Sequence, residues 1–106
     1  MNWGSQVLGS LEERVKAEVE KIIDPETGLT FGRMKMIRSL EEVEPGVIRI
    51  EFAPSSPFCP IAFKLAMDIR RTAERVEGVK RAYVYCQGHI MKEAIDRMVN
   101  EEETPR

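Results

Sequence analysis

Three short stretches of this chain carry side chains that can do chemistry. Pro54-Ser55-Ser56-Pro57-Phe58-Cys59-Pro60 sets a thiol behind two hydroxyls, in a segment whose three prolines fix most of its backbone φ angles. Asp24-Pro25-Glu26-Thr27-Gly28 carries two carboxylates around a proline turn. Cys86-Gln87-Gly88-His89 spaces a thiol and an imidazole by two residues, a gap that a metal pair can use. Pro60 suits the first position of a helix. That predicts Cys59 at the helix N-cap, where unpaired N–H groups and the helix dipole favour a thiolate.

Each stretch also has a plainer reading. Cys59 can be a buried residue of a strand-to-helix turn, and Cys86 a core residue on an apolar strand face. Asp24 before Pro25 can simply end a helix. His89 can be a cap or a surface residue. Cys59, Cys86 and His89 together make three metal ligands, whereas a closed structural zinc site takes four. A Cys59–Cys86 disulfide is an equal alternative. A Cys59–His89 nucleophile pair has no dedicated orienting group. Phosphate-binding glycine patterns are absent.

The elements that must position these residues follow from periodicity. Ser10 to Glu13 reads as a capping box opening a helix over 11–23, with Leu11, Val15, Val19, Ile22 and Ile23 at helical spacing. A strand is predicted over 29–38, although Met34, Met36 and Ile37 break its alternation. A polar connection over 39–46 closes on Glu44-Pro45-Gly46, a type II turn signal that makes a long hairpin. Residues 47–52 alternate cleanly. A helix over 60–76 stops near Gly78, a strand spans 79–86, and a third amphipathic helix carries Ile90, Met91, Ala94, Ile95, Met98 and Val99.

The order αββαβα predicts an α+β fold: two layers, a three-stranded mixed sheet and helices packed on one face. In that topology Asp24, Glu26, Ser55, Ser56, Cys59, Cys86 and His89 gather at one edge of the sheet. Helix N-termini and the ends of parallel strands also meet there, as ligand sites in open sheets do.

Composition narrows the function classes. At 106 residues the chain is read as a flexible segment over 1–10, one domain over 11–100 and an acidic tail over 101–106. The net charge of −2 gives no basic field, so neither nucleic acid nor an anionic membrane is an expected partner. No apolar run reaches the ~20 residues of a membrane helix, and no signal-like start is seen, which predicts a cytoplasmic protein. Two cysteines are too few for a disulfide framework. A charged fraction of 32% with two Asn and two Gln fits a thermophilic source.

The Asp24–Gly28 and Ser55–Pro60 motifs, joined by a hairpin and followed by Val76-Glu77-Gly78-Val79, resemble the small iron–sulfur cluster assembly domain of the SufT and PaaD proteins. The resemblance covers roughly residues 11 to 86. It implies an αββαβ fold with terminal additions and a role in maturing or delivering iron–sulfur clusters, rather than an ordinary enzyme. The family's marked positions correspond to Asp24, Glu26, Ser55, Ser56 and Cys59. Two departures mark a divergent branch. Phe31-Gly32-Arg33-Met34-Lys35-Met36 keeps only the glycine of the family's first-strand segment, and Cys86-Gln87-Gly88-His89 replaces a Pro-Pro-Trp-like end.

With a helix N-terminus to favour its thiolate, Cys59 is expected to bind iron or a cluster transiently, or to engage a partner thiol, with Asp24 positioning its neighbours or taking an open iron site and Ser55 and Ser56 hydrogen-bonding the sulfur. A cluster prefers four thiolates, so a homodimer, a client or scaffold protein, or Cys86 has to complete the set. The rival reading is an interaction adaptor in which Cys59 is structural. A thiol enzyme is the third.

Overall fold

The computed structural model describes residues 10–54 and 56–101, the last of these in its backbone only. Its elements are α1 (Leu11–Val19), α2 (Phe31–Met34), β1 (Ile37–Glu44), β2 (Val47–Phe52), α3 (Ala62–Glu74), β3 (Arg81–Cys86) and α4 (Lys92–Glu101). The order β1-β2-β3, antiparallel then parallel, is the predicted mixed sheet. The flexible start and acidic tail inferred from sequence fall, but for Ser10 and Glu101, outside the described residues.

Ser10 caps α1 as expected, its Oγ accepting from the Glu13 N–H at 3.1 Å. Val15 and Val19 face the core. The helix then stops four residues short of the predicted end. The carbonyls of Glu20 and Ile22 accept from the N–H groups of Gly32 (3.1 Å) and Phe31 (2.8 Å), so the returning chain takes the place of another helical turn. The approach is close enough that a Cβ on Gly32 would lie 2.9 Å from Glu20 Cβ. That explains a glycine at this position.

Residues 29–38 are not the first strand. Thr30 caps α2 through its Oγ1, which accepts from the Arg33 N–H at 3.1 Å, and Lys35 ends the turn at φ 57. Phe31 and Met36 are both buried by this single turn, and the strand begins only at Ile37. The stretch read as a polar connection is β1 itself, an edge strand with mostly exposed side chains. Glu44 pairs with Val47 across Pro45-Gly46, with Gly46 at φ 81. The hairpin is therefore tight, not long, and the positive φ fits the type II turn.

β2 and β3 run in unbroken register from Val47↔Arg81 to Phe52↔Cys86. Ile48, Ile50, Phe52, Ala82, Val84 and Cys86 make the buried face, against Leu65, Ile69 and Ala73 of α3 and the valines of α1. The opposite face is open, with Arg49 stacked over Tyr85 and Arg81 over Tyr83.

Among the described residues no fourth strand pairs with β3; side chains satisfy its outer edge. The Ala82 N–H donates to Glu74 at 2.9 Å, and the Cys86 N–H to Asp96 Oδ1 at 2.7 Å. Asn100 takes both groups of Val84, accepting from its N–H and donating to its carbonyl, each at 2.9 Å. Helix α4 thus closes an edge that would otherwise invite another strand.

Candidate functional site

The turn between β2 and α3 is built by Ser56. Its Oγ accepts from the Phe58 N–H at 3.0 Å, and its carbonyl accepts from the Cys59 N–H at 3.2 Å. Ser56 thus shapes the turn, and no hydrogen bond from it to the sulfur is seen among the described residues. Ser55 lies outside the described residues. Helix α3 starts at Ala62 with Ile61 as its N-cap, so Cys59 stands two residues ahead of the predicted position. Pro60 and Ile61 form a turn before the helix, and the Cys59 carbonyl accepts from the Ala62 N–H at 3.3 Å. The chemistry open to Cys59 rests on its surroundings, not on a cap.

Those surroundings include the loop after β3. The Gln87 N–H donates to the Phe52 carbonyl at 2.7 Å, extending the parallel ladder and bringing the two loops side by side. His89 Nδ1 accepts from the Met91 N–H at 2.9 Å. Nε2 therefore carries the proton and donates to the Cys59 carbonyl at 2.9 Å. The Ile90 N–H donates to the Pro57 carbonyl at 3.1 Å. The loop clasps the cysteine turn from one side.

Both ring nitrogens of His89 are thus spent on the protein. Among the described residues, no three His, Cys, Asp or Glu side chains are placed to hold one ion. Cys59, Cys86 and His89 do share one end of the sheet, as expected, but not as a ligand trio. Both cysteines are free thiols, not a disulfide.

Asp24 is buried at the same sheet end and works on its own turn. Its Oδ1 accepts from the Glu26 N–H, and its carbonyl accepts from the Gly28 N–H, each at 2.8 Å. Glu26 is exposed. Neither carboxylate hydrogen-bonds the Cys59 turn among the described residues.

Both thiols are buried, but in different surroundings. Cys86 is 1% exposed, and burial, then Asp96, pushes its pKa from the ordinary 9.0 up to about 11, against a smaller opposite pull from Lys92. A thiol ionises first in the unfolded chain when its folded pKa is raised. Stability is therefore expected to fall as pH rises from 9.0 towards about 11. Urea midpoints across that range should fall less steeply in Cys86→Ala than in the parent. Parallel slopes would mean that Cys86 is not the group responsible.

Cys59 instead lines a groove of about 480 Å³ between the start of α3 and the face of α4, with Phe58, Phe63, Met91, Ile95 and Met98. Sequence reasoning did not single out this groove, but a signal was present. The six apolar positions of the third helix span about half its circumference at ~100° per residue, wider than one core-facing stripe needs. Ile95 and Val99 take the core, while Ile90, Met91 and Met98 are left exposed.

A family described as iron–sulfur cluster assembly protein matches residues 12–84. The match includes Asp24, Glu26, Ser55, Ser56 and Cys59 and stops before Cys86, His89 and α4. An uncharacterized protein of Methanocaldococcus jannaschii is 28% identical over 92 residues, which is 87% of this chain and 97% of that protein. The crystal structure of a domain of unknown function, DUF59, from Bacillus anthracis aligns with a TM-score of 0.70 at 22% identity. That alignment covers 97% of this chain and 100% of the other, and speaks to the fold.

Proposed function

This chain belongs to the iron–sulfur cluster assembly protein family, and from that premise we propose that it carries iron or a small iron–sulfur cluster transiently on Cys59 and passes it to client or scaffold proteins. The observation that supports this best is the position of Cys59. It is a free thiol within the family-matched residues, 5% exposed, on the wall of a groove that opens at the surface. The groove gives a partner a route to the sulfur, while His89 fixes the turn beneath it.

The donor set fits cargo better than a resident group. Among the described residues Cys59 is the thiol beside the groove, whereas His89 is committed and Cys86 lies in the core with its proton held. A cluster prefers four thiolates, so its remaining ligands come from a second protein. Shared, incomplete ligation suits a carrier that must let go. In this reading the chain has no turnover of its own and works in the cytoplasm. Among the described residues, no helix is long and apolar enough to cross a membrane.

The exposed apolar groove favours a second reading, an adaptor that grips clients without touching their metal. Delivery separates the two. After anaerobic loading with ferrous iron and sulfide, the wild-type chain is expected to convert an apo-ferredoxin to its holo form faster than free iron and sulfide do. The Cys59→Ser chain should show only the free-ion rate. Equal delivery by both chains would favour the adaptor.

A further inference from the structure

We infer that the α4 face beside Cys59 is the interface of a two-fold homodimer, in which two α4 helices pack antiparallel about an axis near Ala94 and Ile95. The inference starts from area. Phe58 is 68% exposed, Ile90 66%, Met91 53%, Met98 54% and Phe63 37%. Together these side chains leave on the order of 500 Å² of apolar surface in one patch, at the upper end of what a monomer carries. Two copies meeting there would bury on the order of 1,000 Å² from these residues alone, which is where stable interfaces begin.

The charge pattern selects a second copy of this chain as the occupant. Glu93 and Arg97 are both exposed on α4, one turn apart. Neither has an ion-pair partner among the described residues, whereas their neighbours Lys92 and Asp96 pair with each other. Antiparallel pairing reverses the order of residues along the helix. It sets Glu93 against the partner's Arg97 and Met91 against the partner's Met98, twice over by symmetry. Ala94, half-buried at the centre, is small enough to let the helix axes approach to about 8–10 Å. The seam runs along the groove that Cys59 lines, so the buried cysteine of each copy lies beneath the same interface. The interface rests on α4 and the apolar residues beside it, and does not depend on whether Cys59 binds metal.

Sedimentation velocity of the full chain, reduced and with chelator, tests the interface apart from the cluster. The wild type is expected to be a dimer at about 100 μM. Glu93→Arg and Arg97→Glu should each weaken it by about tenfold or more, because like charges then face across the seam. The double exchange should return it to within about threefold of wild type. All these positions are exposed, and circular dichroism should show the variants folded alike. The inference fails if the wild type is monomeric at that concentration, or if the single exchanges leave the dimer intact. It fails equally if the double exchange is no better than the singles. A chain that stays monomeric until apo-ferredoxin is added would give the groove to a client instead.

Discussion

Replacing Arg70 by alanine is expected to cost the domain about 3 kcal/mol, a large share of the roughly 5–15 kcal/mol that holds a small protein folded. Arg70 is 6% exposed, a buried cation at the junction of three elements. Its Nη1 donates to the Val99 carbonyl of α4 at 2.7 Å, and its Nε to Glu74 at 3.3 Å. The same carboxylate oxygen accepts from the Ala82 N–H of β3. Alanine would strand a buried carbonyl, loosen Glu74 and open space beside Val99, which is fully buried. The damage should spread to the strand edge that α4 covers. Amide exchange at Ala82, Val84 and Cys86 is expected to accelerate along with the drop in urea midpoint. Arg70→Lys should recover part of the loss, since it keeps the charge but not the two-armed reach. A loss below about 1 kcal/mol would mean that α4 is held by its apolar contacts and by Asp96 and Asn100, without need of Arg70.

The sequence was most legible where one period ran unopposed. Ile48, Ile50 and Phe52 alternate with Arg49 and Glu51, and Ala82, Val84 and Cys86 alternate with Tyr83 and Tyr85; both strands follow from that, and their parallel pairing from the one helix that joins them. It was least legible where distant backbone settles the structure. The end of α1 is fixed by Phe31 and Gly32, about ten residues further on, and nothing in local spacing reports their bonds to Ile22 and Glu20. β1 reads as a connection because an edge strand with most side chains in solvent needs no apolar face. Its neighbour α2 reads as a strand because a single turn is too short to show a period.

The site was legible in the same divided way. Topology alone brought the 24–28 turn, the Cys59 turn and the Cys86–His89 loop to one sheet end. What each side chain does there depends on backbone groups that no motif names. Asp24 and Ser56 are consumed by their own turns, and His89 by the Cys59 carbonyl and the Met91 N–H. Cys59 is left as the thiol with a groove before it. Asp96 and Asn100 carried no signal, because a polar residue on an amphipathic helix looks the same whether it meets water or a strand edge.

Cys59→Ser is the change expected to matter most to function. Serine keeps the size of the side chain and a hydrogen-bonding atom, so the Ser56 turn and the His89 clasp should survive. What it removes is a soft, ionisable sulfur that binds iron, for which a hydroxyl is a poor substitute. Cys86→Ser should differ sharply. It would place a hydroxyl at a core position beside Phe52 and lower stability, yet leave cargo binding in place.

The most direct measurement is iron and acid-labile sulfide per chain after anaerobic reconstitution and rapid desalting, read with the visible absorption of thiolate-bound iron. Wild type and Cys86→Ser are expected to retain iron with that absorption, and Cys59→Ser to fall to the level of a buffer blank. Iron retained equally by the Cys59→Ser chain, or by none of the three, would contradict a carrier built on Cys59.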